Sequence, residues 1–131
     1  FDYFDRENTI TSPENGQKPE IEMKPIEYKH VVFSYDSDKP ILTDVNFTVP
    51  GGKMYAIVGP SGSGKSTVVN LIPRLYDVRS GEVLVGGVDV RNLDIETLRR
   101  SVSVVLQKNI LFEGSLRENL SWGKADASDE E

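Results

Sequence analysis

The chain has 131 residues, 37 % of them hydrophobic and 27 % charged, which fits one globular domain with a real core. A formal net charge of -6 without a dense Lys/Arg patch argues against nucleic acid as a partner, and the lack of cysteine excludes disulfides and thiolate metal sites. Apolar stretches reach only about five residues, far short of a membrane span, and no basic segment leads into an apolar run as in a secretory signal.

Residues 1–25 differ in composition from the rest of the chain. Ser12-Pro13-Glu14-Asn15-Gly16-Gln17-Lys18-Pro19 is polar and broken by Pro and Gly, the composition of a linker with little to bury. Phe1, Tyr3 and Phe4 before it form a small aromatic cluster, either a helix end or an arm packing on the domain. From Ile26 the pattern turns to strands. Ile26 to Tyr35 partly alternates, Asp36-Ser37-Asp38 supplies a turn, and Ile41 to Val49 forms a second strand. Pro50-Gly51-Gly52 turns the chain into Met54-Tyr55-Ala56-Ile57-Val58, a third β-rich segment. Strands so closely spaced predict an antiparallel subsheet ahead of a parallel unit.

Gly59-Pro60-Ser61-Gly62-Ser63-Gly64-Lys65-Ser66-Thr67 fits G-x-x-x-x-G-K-[ST], the phosphate-binding P-loop. After it, Val68, Val69, Leu71, Ile72 and Leu75 have the spacing of a helix's buried face. Strand, glycine loop and helix are what the chemistry requires. Glycines let backbone N–H groups turn inward around a triphosphate, and the new helix presents its positive end. Lys65 is placed to reach the terminal phosphates, and the Ser66 hydroxyl to ligate Mg2+. The pattern predicts nucleotide binding.

Beyond the helix, Pro73 removes a backbone donor and ends or kinks it. Ser80 to Val90 reads as a hairpin with Gly86-Gly87 as its two-residue loop. Asn92 or Asp94 can cap a short helix bearing Ile95, Leu98 and Arg99-Arg100, two arginines read as a solvated face rather than a catalytic finger. Val102 to Leu106 then reads as a buried strand running into Gln107. His30, the single histidine, reads as a surface or strand-edge residue. At the end, Ser128-Asp129-Glu130-Glu131 is a capping box that announces a further helix.

A P-loop occurs in many enzymes, but the other motifs narrow the choice. Val32-Phe33-Ser34-Tyr35, Ser80-Gly81-Glu82 with Gly87-Val88-Asp89, Val104-Val105-Leu106-Gln107 and the segment Leu111 to Leu120 stand in a specific order around Gly59 to Thr67. Together they resemble the N-terminal half of the nucleotide-binding domain of ABC transporters of the exporter type, over roughly residues 26–131. The resemblance implies an α/β P-loop NTPase fold: an antiparallel β subsheet plus an incomplete parallel core sheet with flanking helices. It implies that residues 1–25 link this domain to an upstream transmembrane domain, with 26–131 the first part of the ATP-binding domain. ATP and Mg2+ are the implied cofactors. Tyr35 matches the aromatic that stacks on adenine, and Gln107 the glutamine that contacts Mg2+ and couples the site to the membrane domains. Ser66 and Gln107 are thus the implied metal contacts.

The implied partners are transmembrane domains and a second nucleotide-binding domain, at the cytoplasmic face of a membrane; this piece itself is expected to be soluble. The sequence has no apolar run followed by Asp-Glu, no Leu-Ser-Gly-Gly-Gln signature and no downstream histidine. The expectation is therefore a truncated domain that binds ATP with little or no hydrolysis, and that exposes a sheet edge prone to self-association. The alternative is a stand-alone, non-catalytic nucleotide-binding or interaction module. A guanine-binding P-loop protein is disfavoured by the lack of Asn-Lys-x-Asp.

Overall fold

The computed structural model describes residues 9–20, 23–36, 39–105, 111–123 and 128. Four strands, β1 (Ile26–Phe33), β2 (Leu42–Val49), β3 (Ser80–Val85) and β4 (Val88–Asp89), form one sheet in the order β2-β1-β3-β4. Every neighbouring pair is antiparallel. The expected antiparallel subsheet is therefore present. β1 lies inside the sheet and buries Tyr28, Val31 and Phe33; β3, also inside, buries Val83, Leu84 and Val85. Between β3 and β4 the predicted Gly86-Gly87 loop has both residues at positive φ, 62° and 82°, as a tight hairpin matching strand twist needs.

Against this sheet pack Val68 and Leu71 from α1 (Lys65–Leu71), Val90 and Leu93 from the connection after β4, and Leu98 from α2 (Ile95–Arg100). Tyr28 ties the sheet to α1 most directly. Its hydroxyl donates to the Val68 carbonyl at 2.6 Å, while its ring stacks on Phe47 at 4.5 Å. Burial pushes this phenol's pKa upward, so it remains a donor. α1 ends before Pro73 as predicted. Val69 and Leu75 are exposed rather than buried: Val69 lies within α1 but off the face that buries Thr67, Val68 and Leu71, and Leu75 lies beyond the helix end at Leu71.

The larger correction concerns the parallel strands. Met54–Val58 and the described part of Val102–Leu106 form no ladder; Met54 is 98 % exposed, Val58 88 % and Val105 89 %. A parallel strand needs flanking strands and cover on both faces. Among the described residues no strand stands beside either segment, so most of their apolar side chains face solvent, while Val102 packs partly buried against the core.

Residues 11–17 do more than link. The Gln17 N–H donates to Asn92 O and its carbonyl accepts from Asp94 N–H, both at 2.9 Å, and Ser12 Oγ accepts from Ile95 N–H at 2.9 Å. The segment is too polar to bury, but its backbone pairs with the approach to α2. Asp94 caps α2 as predicted, accepting from Thr97 N–H at 3.0 Å.

That backbone bond, with the Thr97 hydroxyl, holds the Asp94 carboxyl below the usual carboxylate range. α3 (Leu116–Ser121) was not foreseen, although Ser115-Leu116-Arg117-Glu118 carries the S-x-x-E pattern that the structure turns into a reciprocal capping box. His30 sits exposed at a register shift between β1 and β2, its Nδ1 2.7 Å from Asp44 Oδ1.

Candidate functional site

The site begins where the chain leaves Val58 and turns through Gly59–Gly64 into α1. Gly62 and Gly64 take positive φ, 80° and 86°, the left-handed region that L-residues avoid. Gly64 is the N-cap of α1 and offers no side chain to its first N–H groups, which leaves those donors free for an incoming anion. Ser63 N–H closes the loop onto Pro60 O at 3.3 Å. Ser61 is exposed on the same turn.

Lys65 folds back over the loop. Its Nζ donates to Gly59 O at 2.9 Å, Pro60 O at 2.7 Å and Ser63 Oγ at 3.5 Å. No carboxylate among the described residues pairs with it, so the ammonium is held by neutral dipoles alone. An anionic ligand in the loop would therefore meet an uncompensated cation and a row of backbone donors, the donor set that a polyphosphate fits. Ser66, the next residue, is exposed in the first turn, and its hydroxyl engages no described protein group. A hydroxyl in that place can serve a hard cation held by the phosphates. Thr67 differs: it is only 5 % exposed, and its Oγ1 lies 3.2 Å from the Tyr35 hydroxyl. This contact brings Tyr35, just past the end of β1, to the P-loop helix. Gln107, the remaining candidate, lies outside the described residues.

Tyr35 is 45 % exposed and stands at the end of an aromatic cluster. Phe33 meets it at 4.9 Å with planes at 88°, and Tyr76 at 4.9 Å with planes at 80°. No sequence motif singles out Tyr76. Nor does one mark Arg74, which sits at φ 51° and donates in a fork to Asp77 Oδ1 and Oδ2 at 2.7 and 3.1 Å. The Arg74-x-x-Asp77 spacing, one helical turn apart, is the available signal. Arg99 is exposed, as expected of a solvated face, and it also donates to Pro73 O at 3.2 Å and Arg74 O at 3.0 Å, holding the end of α1 to α2. Arg100 does face solvent and pairs with Glu96 one turn back.

Glycine loop, lysine and helix on an α/β scaffold define a P-loop nucleotide-binding fold. The family profile described as "ABC transporter" matches residues 42–131. Among curated proteins, an uncharacterised ABC transporter ATP-binding protein of Bacillus subtilis is 40 % identical over all of this chain and 22 % of its own length. The mitochondrial iron-sulfur clusters transporter of Candida glabrata is 50 % identical over 81 % of this chain and 15 % of its own. The ATP-dependent lipid A-core flippase of Syntrophus aciditrophicus is 39 % identical over 99 % and 20 %. A bacterial Atm1-family ABC exporter solved with ATP bound superposes with a TM-score of 0.87 at 34 % identity, over 92 % of this chain and 21 % of that one. The chain belongs to the ABC transporter family. It spans only 15 to 22 % of the length of these relatives. No helix among the described residues is long and apolar enough to cross a membrane.

Proposed function

We propose that this chain is the ATP-binding portion of an ABC exporter, and that the whole protein couples ATP binding and hydrolysis to moving a substrate across a membrane. The observation that carries the reading is the Lys65 ammonium, held over the glycine loop by Gly59 O and Pro60 O with no carboxylate partner among the described residues. The ATP bound in the Atm1-family relative supports the choice of nucleotide. In this chain the Gly59–Gly64 backbone and the start of α1 would hold the phosphates, and Lys65 would leave its carbonyl partners for them. Tyr35 would offer its ring to adenine. Ser66, with Gln107, would hold Mg2+, which neutralises charge on the phosphates when bound. Residues 1–25 would join the domain to a transmembrane domain, and 26–131 would form its first part. A second nucleotide-binding domain and the cytoplasmic face of a membrane complete the proposed setting.

Equilibrium binding of Mg·ATP to the purified chain tests the reading, with Lys65→Ala as control. Saturable binding that the variant loses is the expected result. A wild-type chain that melts cooperatively yet does not bind Mg·ATP would refute it.

A further inference from the structure

Residues 73–77, which come after α1, are held more firmly than a surface loop needs. Arg74 is 7 % exposed; beyond its fork to Asp77 it donates to Thr11 O at 3.1 Å. Arg99 reaches across from α2 to the carbonyls of Pro73 and Arg74. With Arg74 in the left-handed region, the loop keeps a conformation that its surroundings over-determine. What the loop presents is Tyr76. Its ring lies 4.9 Å from Tyr35, nearly perpendicular, and 5.8 Å from Phe33.

Tyr35 sits beyond the last ladder residue of β1, where sheet hydrogen bonds no longer fix it. Three groups do so instead: the Phe33 ring, the Tyr76 ring and the Thr67 hydroxyl. A ring held in one orientation stacks on a flat ligand without first losing rotamer freedom, so its support adds to affinity without touching the ligand. The described hydrogen bonds of the Lys65 ammonium go to Gly59, Pro60 and Ser63, whereas this cluster meets the P-loop helix at Thr67.

We infer that Tyr76 is a positioning residue: it orients Tyr35 for stacking on the nucleobase, separately from the grip of the P-loop on the phosphates. The inference rests on the proposed role of Tyr35 as the base platform. The two are distinguished by comparing Mg·ATP with inorganic tripolyphosphate, which has the phosphates and no base.

Binding of both probes to the wild-type chain, Tyr35→Ala, Tyr76→Ala and Tyr76→Phe, with a urea melt of each, provides the test. Tyr76→Ala is expected to weaken Mg·ATP about fivefold, a part of what base stacking supplies, and to leave tripolyphosphate within about twofold. Tyr76→Phe keeps the ring and should bind both probes as wild type does. If Tyr35→Ala weakens Mg·ATP and Tyr76→Ala does not, the inference about Tyr76 fails while the platform stands. An equal loss of both probes in Tyr76→Ala, or a loss in Tyr76→Phe matching that in Tyr76→Ala, also overturns it. If Tyr35→Ala binds Mg·ATP normally, the platform reading itself fails.

Discussion

Replacing Tyr28 by Phe removes one oxygen atom from the joint between sheet and P-loop helix and leaves the ring's stack on Phe47 in place. The Val68 carbonyl depends on that hydroxyl because α1 ends too soon to satisfy it: the Ile72 N–H, one turn on, donates to Val69 O. Phenylalanine would leave this carbonyl buried without its partner, which costs about 1–3 kcal/mol, more than the net value of an average hydrogen bond. The missing oxygen opens almost no cavity, so packing adds little. For a chain of this size the change corresponds to a fall in melting temperature of roughly 3–9 °C. Urea denaturation followed by circular dichroism measures it, with Tyr28→Phe shifting the midpoint at an unchanged slope. Amide exchange should quicken first in α1. A variant within about 0.3 kcal/mol of wild type would show that water or a relaxed helix end satisfies Val68 and that the tether contributes nothing.

Gly64→Ala forces a side chain at φ 86° and sets a Cβ 2.8 Å from Leu42 Cδ2. It should cost at least about 1 kcal/mol by urea melt and weaken Mg·ATP, since the loop must shift at the start of α1. Arg99→Met should lower stability by about 0.5–1.5 kcal/mol through the lost bonds to Pro73 and Arg74, whereas an unchanged melt would show that these bonds of an exposed arginine contribute nothing. Asp94 and Glu118 are both held below the ordinary carboxylate range by hydrogen bonds at their helix starts, from Thr97 and Ser115. A depressed folded pKa stabilises the fold above the unfolded value and loses that contribution as pH falls through the folded one. The urea midpoint should therefore be flat from neutral pH to about pH 5 and decline below about pH 4; Asp94→Asn should flatten the decline, and a midpoint that rises with acid would contradict the assignment. Met54, Val58 and Val105 present apolar side chains to solvent, so gel filtration should show concentration-dependent association that Val58→Lys reduces.

How much of the molecule the sequence made legible depends on the range of the interactions involved. Gly86-Gly87, Asp94 and Pro73 act within a few residues of themselves, and the hairpin, cap and helix end appear where their local chemistry puts them. The P-loop was equally legible because backbone conformation and charge lie in one contiguous run. Met54–Val58 and Val102–Val105 misled for the opposite reason. Their composition records a preference for strand, and pairing depends on neighbours that the described sheet does not supply. Tyr76 was missed because its importance lies in meeting Tyr35, 41 positions earlier, through a turn whose shape depends on Arg74, Asp77 and Arg99. No local pattern reports such a meeting. α3 was missed despite a local signal, since Ser115 and Glu118 already spelled its cap, as was the Arg74–Asp77 pair, whose three-residue spacing lay in plain view.

The bond from Arg74 to Thr11 O has a consequence beyond holding a turn. It fastens the N-terminal segment to the same guanidinium that braces the loop bearing Tyr76, so segment and loop share one anchor. Linkage then runs both ways: whatever steadies the loop steadies the segment, and tension applied to the segment from upstream would reach the loop at Arg74. Slower amide exchange at Gln17 when Mg·ATP is bound, an effect abolished by Arg74→Met, is the expected sign of that traffic.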